Sequence, residues 1–171
     1  MKGVFKIMEI NAEKNYTIRR AVMTDMPSID DLLEQVLNVH HRGRPDLFKA
    51  KAKKYTDEEL EELLKDDKRP VFVYENSEGK ILGYAFCVYV QHVDDNILTD
   101  IKSLYIDDLC VDENTRGEGV GRKLYEHVLD FAKRKGFYNV TLNVWALNEN
   151  AKKFYEKMGL VPQKIGMEHI L

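Results

Sequence analysis

The sequence predicts an α/β fold, a mixed β-sheet with helices on both of its faces. Short segments of alternating or continuously apolar residues end at Gly, Asn or Asp, as strands do. Between them stand segments whose apolar residues recur every three or four positions, as on one face of a helix. Their order reads β-α-α-β-β-β-α-β-α-β, which a mixed sheet covered on two sides accommodates.

Residues 16–21, Tyr-Thr-Ile-Arg-Arg-Ala, alternate and predict the first strand. Thr24 or Asp25 then caps a helix with Pro27 in its first turn. Ile29, Leu32, Leu33, Val36 and Leu37 give that helix one apolar face, and it should end near His40. Residues 41–48 contain Gly43 and Pro45 and read as loop. Thr56 and Glu59 have the spacing of a capping box and start a second helix through Leu60, Leu63 and Leu64. Residues 71–75 and 81–90 form a hairpin around Gly79, and 103–111 form the next strand after a polar loop. Val120, Leu124, Val128 and Phe131 mark a third helix, closed by Lys133, Arg134, Lys135 and Gly136. Residues 138–145 are strand-like. Asn148 caps a fourth helix bearing Ala151, Phe154, Tyr155 and Met158, and Gly159 ends it. A final strand is expected over 161–171.

Composition excludes several classes. The chain has 171 residues, 44% of them apolar and 32% charged, which suits one globular domain. We expect it to occupy 16–171, with 1–15 as an N-terminal extension. The net charge of −3 argues against a dedicated nucleic-acid binder. Cys87 and Cys110 are too few for a disulfide framework and read as reduced thiols. No apolar run approaches the roughly 20 residues of a membrane span. Residues 1–6 carry charge but neither the apolar core nor the cleavage site of a secretory leader, so a cytoplasmic location is expected. His40, His41 and His92 have no metal-ligand spacing, and no metal is expected.

The strongest chemical signal is Arg116-Gly117-Glu118-Gly119-Val120-Gly121, followed by Arg122, between a strand and a helix. Alternate glycines leave backbone N–H groups uncovered, and the helix N-terminus behind them carries about half a positive charge. Such a loop can seat a pyrophosphate; it can also be an ordinary glycine turn. It has neither the spacing of the dinucleotide fingerprint nor the Gly-Lys-Ser/Thr of a P-loop. A second pattern follows in Asn148, Ala151, Phe154, Tyr155 and Gly159.

With these two motifs in this order, the chain from 16 to 171 resembles the GNAT superfamily of acyl-CoA N-acyltransferases. The first motif resembles that family's R/Q-x-x-G-x-G/A loop, and the second its N-x-x-A-x-x-F-Y-x-x-x-G pattern. The resemblance implies a sheet splayed between its fourth and fifth strands, with the cofactor's pantetheine arm in the gap. It implies acetyl-CoA as co-substrate and a primary amine as acceptor. Leu109, Cys110 and Val111 would line the arm, and the Val111 N–H would act as oxyanion donor. Arg116, Gly117, Glu118, Gly119, Val120, Gly121 and Arg122 would hold the pyrophosphate, and Asn148 would contact the arm. A homodimer through 161–171 is also implied.

Proton transfer needs further groups. By the resemblance, Tyr155 is the general acid that reprotonates the leaving thiolate and a cofactor neighbour; helical spacing alone would make it first the core partner of Phe154. Asp107, with Asp108, resembles the Glu-Asp pair of the spermidine/spermine acetyltransferase branch, in which the first acid is a proposed proton acceptor. Adjacent strand residues face opposite sides, so only one aspartate should face the cleft, and the pair can equally serve to fix the strand. Cys110 reads as a packing residue rather than an acyl carrier. Specificity should lie in residues 40–48, the second helix and 91–100, whose Asp94, Asp95 and Asp100 can attract a cationic amine or form a solvated loop. Lys49, Lys51, Lys53 and Lys54 read most simply as balancing the acidic helix start that follows them. The alternative function is a non-catalytic acyl-CoA-binding or sensing module.

Overall fold

In the computed structural model the described residues are 15–171. The extension expected over 1–15 therefore falls outside them, apart from Asn15. Five strands lie side by side in sequence order: β1 (Tyr16–Arg20), β2 (Val71–Asn76), β3 (Ile81–Val90), β4 (Ser103–Val111) and β5 (Asn139–Leu142). β1 to β4 are antiparallel, and β5 runs parallel to β4. Four helices accompany them: α1 (Met26–Gly43), α2 (Asp57–Lys65), α3 (Val120–Arg134) and α4 (Glu149–Lys157). α3 provides the crossover that a parallel β4–β5 pair requires.

Helices cover both faces of the sheet. On one, Ile29, Leu32 and Leu33 of α1 and Leu60, Leu63 and Leu64 of α2 pack on Val71, Val73, Tyr84 and Phe86. On the other, Tyr125, Val128 and Ala132 of α3, Phe154 of α4 and Met158 just after it pack on Phe72, Ala85, Cys87, Leu104 and Ile106. Because β2 and β3 are covered twice, their sequences are nearly continuous apolar runs rather than alternating ones. At the start of α2, Thr56 accepts from the Glu59 N–H at 3.2 Å while Glu59 accepts from the Thr56 N–H at 2.8 Å. The capping box therefore forms as its spacing predicts.

Three elements differ from expectation. α1 continues to Gly43, past His40, because nothing breaks it sooner; the Arg44 N–H closes its last turn on the His40 carbonyl, and Pro45 follows. β5 is four residues long rather than eight, since its partner β4 changes course beyond Ile106. The final strand over 161–171 does not form. The Leu160 N–H closes onto the Tyr155 carbonyl, and the chain then runs on exposed, without secondary structure. Pro162 supplies no ladder donor and Gly166 weakens any strand it sits in.

Candidate active site

β4 separates from β5 halfway along its length. The two strands pair from Ser103↔Asn139 to Ile106↔Leu142 and no further, whereas β4 stays paired with β3 as far as Val111↔Gly83. The break coincides with a bulge. Phe86 faces Asp108 and Cys87 faces Ile106, so Asp107 is an extra residue in β4 without a partner on β3. Leu104 and Ile106 face α3 before the bulge, and Leu109 and Val111 do so after it, while Cys110 packs with the α1 core.

The bulge also overturns the expectation that only one aspartate can face the cleft. Asp107 and Asp108 share one cation, the Lys54 ammonium, at 3.1 and 3.2 Å. Asp108 further accepts from the Tyr84 hydroxyl at 3.2 Å, and the Tyr55 hydroxyl lies 3.5 Å from Asp107. Burial works against the Lys54 ammonium, but Asp108 and Asp107 outweigh it and hold the lysine above its ordinary pKa. Sequence reasoning missed both Lys54 and Tyr84. Lys54 was legible only as one of four lysines, and Tyr84 sits inside an apolar strand.

Backbone polarity in the gap follows from the ladder. The Asp112 N–H donates to the Leu82 carbonyl at 2.9 Å, so the alternation of antiparallel bonds turns the N–H groups of Leu109 and Val111 away from β3. β5 does not reach them. Cys110 differs: its carbonyl faces β3, only 2.7 Å from where a Cβ on Gly83 would sit. Its thiol lies 3.4 Å from the Leu32 carbonyl and is pushed up to about 12, mainly by burial, with Asp108 adding to the effect.

The glycine loop closes one end of the gap. Gly117 and Gly119 have φ of +89° and +82°, which only glycine adopts without strain, although a Cβ would meet nothing at either position. Gly121 is close-packed instead: a Cβ there would lie 3.3 Å from the Val111 side chain, which would have to give by a few tenths of an ångström, and 3.6 Å from Phe154. The end of β4, the start of α3 and α4 therefore meet there. Among the described residues, the N–H groups of Gly119, Val120, Gly121 and Arg122 have no acceptor, and Gly119 caps α3 without a side chain. That leaves a set of uncapped donors able to bind an anion. Arg116 has no ion-pair partner among the described residues, whereas Arg122 is paired with Glu126 at 2.8 Å. Glu118 and Val120 contribute backbone, and the Val120 side chain is buried.

α4 forms the other wall. Asn148 caps it, accepting from the Ala151 N–H at 3.2 Å, so its carbonyl oxygen is engaged and its amide N–H groups remain. Tyr155 stands against Tyr125 and Phe154, with ring centroids at 6.4 and 5.1 Å. Its hydroxyl has no hydrogen-bond partner among the described residues. Burial, and then the charge of Asp108, raise its pKa well above the usual tyrosine range, so the phenol keeps its proton. Among the described residues no group of three His, Cys, Asp or Glu could hold a metal, and no helix is long and apolar enough to cross a membrane.

The family model for the acetyltransferase (GNAT) family matches residues 33–160. An uncharacterized N-acetyltransferase of Methanocaldococcus jannaschii is 30% identical over 161 residues, covering 92% of this chain. This chain spans only 66% of that relative's length. Glucosamine 6-phosphate N-acetyltransferase of Arabidopsis thaliana is 30% identical over 119 residues, covering 66% of this chain and 75% of the plant protein. A crystal structure of a mutant of the BH1408 protein from Bacillus halodurans superposes with a TM-score of 0.87 at 31% identity, covering 91% of this chain and 99% of that one. The matched span contains both glycine-bounded motifs and the bulged strand that precedes them, and on that ground the chain belongs to the GNAT acetyltransferase family.

Proposed function

We propose that this protein moves the acetyl group of acetyl-CoA to a primary amine by direct attack in a ternary complex. One observation carries the reading: beyond Ile106 the inner edge of β4 is open, with the Val111 N–H turned into the opening and the uncapped start of α3 at its end.

The residues divide the work as follows. The free N–H groups of Gly119, Val120, Gly121 and Arg122, with the Arg116 guanidinium and the Gly117–Glu118 backbone that shapes the loop, hold the pyrophosphate of the co-substrate. Leu109 and Val111 offer backbone groups to its pantetheine arm, and the Asn148 amide touches that arm from α4. Cys110 contributes packing, because its backbone faces β3 and its thiol is protonated. The Val111 N–H stabilises negative charge on the thioester oxygen as the amine adds. Tyr155 gives its proton to the departing thiolate, a role that its unpaired hydroxyl, on the α4 wall against Tyr125 and Phe154, supports. Asp107 and Asp108 attract the acceptor's ammonium and pass its proton to solvent.

The acceptor is a small amine, a polyamine or a protein amine. That the plant relative is named for a sugar amine supports an amine acceptor without choosing among these. The exposed tail, with Val161, Ile165, Met167, Ile170 and Leu171, and the outer edge of β5, unpaired among the described residues, support a homodimer built from the tails of two copies. We place the protein in the cytoplasm, acting without metal, nucleic acid or membrane, and take residues 16–171 as one acyltransferase domain.

A panel of amines with acetyl-CoA, followed by release of the CoA thiol, tests the reading. Turnover of at least one amine class is expected. Tight binding of acetyl-CoA with no turnover of any amine would leave a non-catalytic acyl-CoA-binding module instead. Light scattering on the full chain tests the dimer: a monomer mass removes it.

A further inference from the structure

Among the described residues, the charged residues that are buried are Asp25 and Asp112. Asp25 is accounted for by Arg19, whose guanidinium holds both of its oxygens, at 2.7 and 2.9 Å. Asp112 is 6% exposed and has no such arginine. A buried carboxylate is costly unless its oxygens are satisfied. Here the backbone just ahead of it does much of that, and every polar group of Asp112 is spent on the corner between β4 and the glycine loop. Its N–H donates to the Leu82 carbonyl at 2.9 Å, a rung that ties the chain to β3 just past Val111. Its carbonyl oxygen accepts from the Thr115 N–H at 2.9 Å and from the Thr115 hydroxyl at 3.2 Å. One carboxylate oxygen accepts from the Asn114 N–H at 3.1 Å and from its amide at 3.0 Å. The other takes the Lys80 ammonium at 3.3 Å, from the hairpin between β2 and β3. The Asn114 N–H, with Lys80, outweighs burial and holds the carboxyl below the usual carboxylate range.

The same short segment is clasped from α1, where the Gln35 side-chain oxygen accepts from the Glu113 N–H at 3.0 Å. The Thr115 carbonyl passes the fold onward, accepting from the Glu118 N–H at 3.3 Å. Residues 112–115 are thus fixed against β3, the β2–β3 hairpin and α1 at once. Capping one exposed turn would not require this. A serine or asparagine does that much without a charge and without burial. The place of the corner in the chain suggests more. Val111, whose N–H faces the gap, comes immediately before it, and Arg116 and the open N–H groups of Gly119 to Arg122 come after it. A pyrophosphate held at the loop delivers the thioester carbonyl to the Val111 N–H only if the loop and the strand end keep a fixed relation. A misplacement of about 1 Å can cost roughly a hundredfold in rate.

We propose that Asp112 is a positioning residue that couples the pyrophosphate seat to the oxyanion donor: by locking residues 112–115 to Lys80 and β3, it lets binding at the glycine loop fix the thioester at Val111. The inference rests on the acetyltransferase reading and adds the means by which binding energy from the remote end of the co-substrate reaches the reacting carbonyl.

Two co-substrates test it on the full chain, with the amine that the wild type turns over best. Acetyl-CoA carries the pyrophosphate; S-acetylpantetheine has the same thioester and arm without it. The ratio of their kcat/KM values measures what the pyrophosphate contributes to the reaction. Asp112→Ala should lower that ratio at least tenfold, with most of the fall in kcat for acetyl-CoA, and should leave S-acetylpantetheine within about threefold of wild type. Asp112→Asn keeps an oxygen for the Asn114 N–H and removes only the charge, so it should restore the ratio to within about threefold of wild type. Should the alanine variant not fold, Lys80→Met replaces it. That change withdraws the partner on the hairpin without touching the loop, and the ratio should fall about threefold. Equal losses with both co-substrates would make Asp112 a purely structural residue and overturn the proposal. A loss confined to KM for acetyl-CoA would confine Asp112 to the pyrophosphate seat and overturn the coupling. An unchanged ratio overturns it as well. A wild type that turns over no amine with acetyl-CoA sinks the acetyltransferase reading itself, and the coupling with it.

Discussion

The Lys54 ammonium stands 3.2 Å from the Asp108 carboxylate, on the side of β4 where Asp107 also points. An acceptor's ammonium drawn to this pair meets a cation already there. Ion pairs at such partly exposed sites are worth about 1 kcal/mol, a several-fold effect on an equilibrium. Lys54→Met should therefore lower KM for cationic acceptors about three- to tenfold. A raised KM would show that Lys54 holds the aspartates in their working position instead.

The role of Tyr155 separates binding from chemistry. Tyr155→Phe keeps the ring packed on Tyr125 and Phe154 and removes only the proton donor. The expected result is a fall in kcat of about 100-fold, the lower range for a lost general acid, with CoA affinity within twofold of wild type. Steady-state kinetics and calorimetry on the same preparation check it; an unchanged kcat removes Tyr155 from the mechanism.

Gly119 is held at φ +82° by its place before α3, with open space where a side chain would be. Gly119→Ala should cost about 1 kcal/mol in stability from backbone strain alone. It should also weaken CoA binding by at least tenfold as the four free N–H groups reorient. Thermal denaturation and titration calorimetry read the two effects. CoA affinity equal to wild type would show that this loop is an ordinary turn.

Cys110 bears on the kinetic scheme. With a thiol pKa pushed up to about 12, roughly one molecule in ten thousand carries the thiolate at pH 8. Incubation with acetyl-CoA in the absence of amine should give no acetyl adduct by mass spectrometry, and iodoacetamide should spare Cys110 in the folded protein. A stable adduct on Cys110 would support a covalent route.

Acid should destabilise the protein in two stages. Burial lowers the pKa of His40 and of His127 below 6.5, so the unfolded chain binds protons first and stability falls as pH drops below about 6.5. Asp25 follows. Burial raises its pKa, but hydrogen bonds from Arg19 at 2.7 and 2.9 Å and from the Val22 N–H at 2.8 Å outweigh this and hold it below 3.8. Its contribution is thus full above pH 3.8 and disappears as pH falls through the lower folded value. Asp25→Asn should remove the second stage and cost about 2 kcal/mol at pH 7, measured by urea denaturation. A single acid transition in the wild type, unaltered by the substitution, would contradict this.

What the sequence made legible was mostly local. The Thr56 box, the Gly119 turn and the apolar faces of α1 and α3 are each decided within a turn or two of chain, and they form as the residues predict. What it hid depends on pairing between distant segments. That both aspartates face one way is set by a register shift against Phe86 and Cys87, twenty residues upstream. That Lys54 serves them requires α2 and β4 to pack on one face, and its charge looked balanced locally. Residues 161–171 carry a strand-like pattern, but no described strand lies along them to supply the ladder. His40, Phe48 and Trp145 come together across more than a hundred residues, beyond the reach of any periodicity.

The short β4–β5 ladder has a consequence for how the molecule breathes. Four residue pairs join β5 to the sheet, against eight between β3 and β4. The sheet from β1 to β4 is one cooperative unit, while β5 and α4 form a lighter flap docked along its margin, the first part expected to open in hydrogen exchange. A ligand lying in the split touches both. At a hundred times its dissociation constant it adds about 2.7 kcal/mol to the closed form. The nucleotide thioester would thus stand in for the absent rungs, sealing the same seam along which the empty protein comes apart.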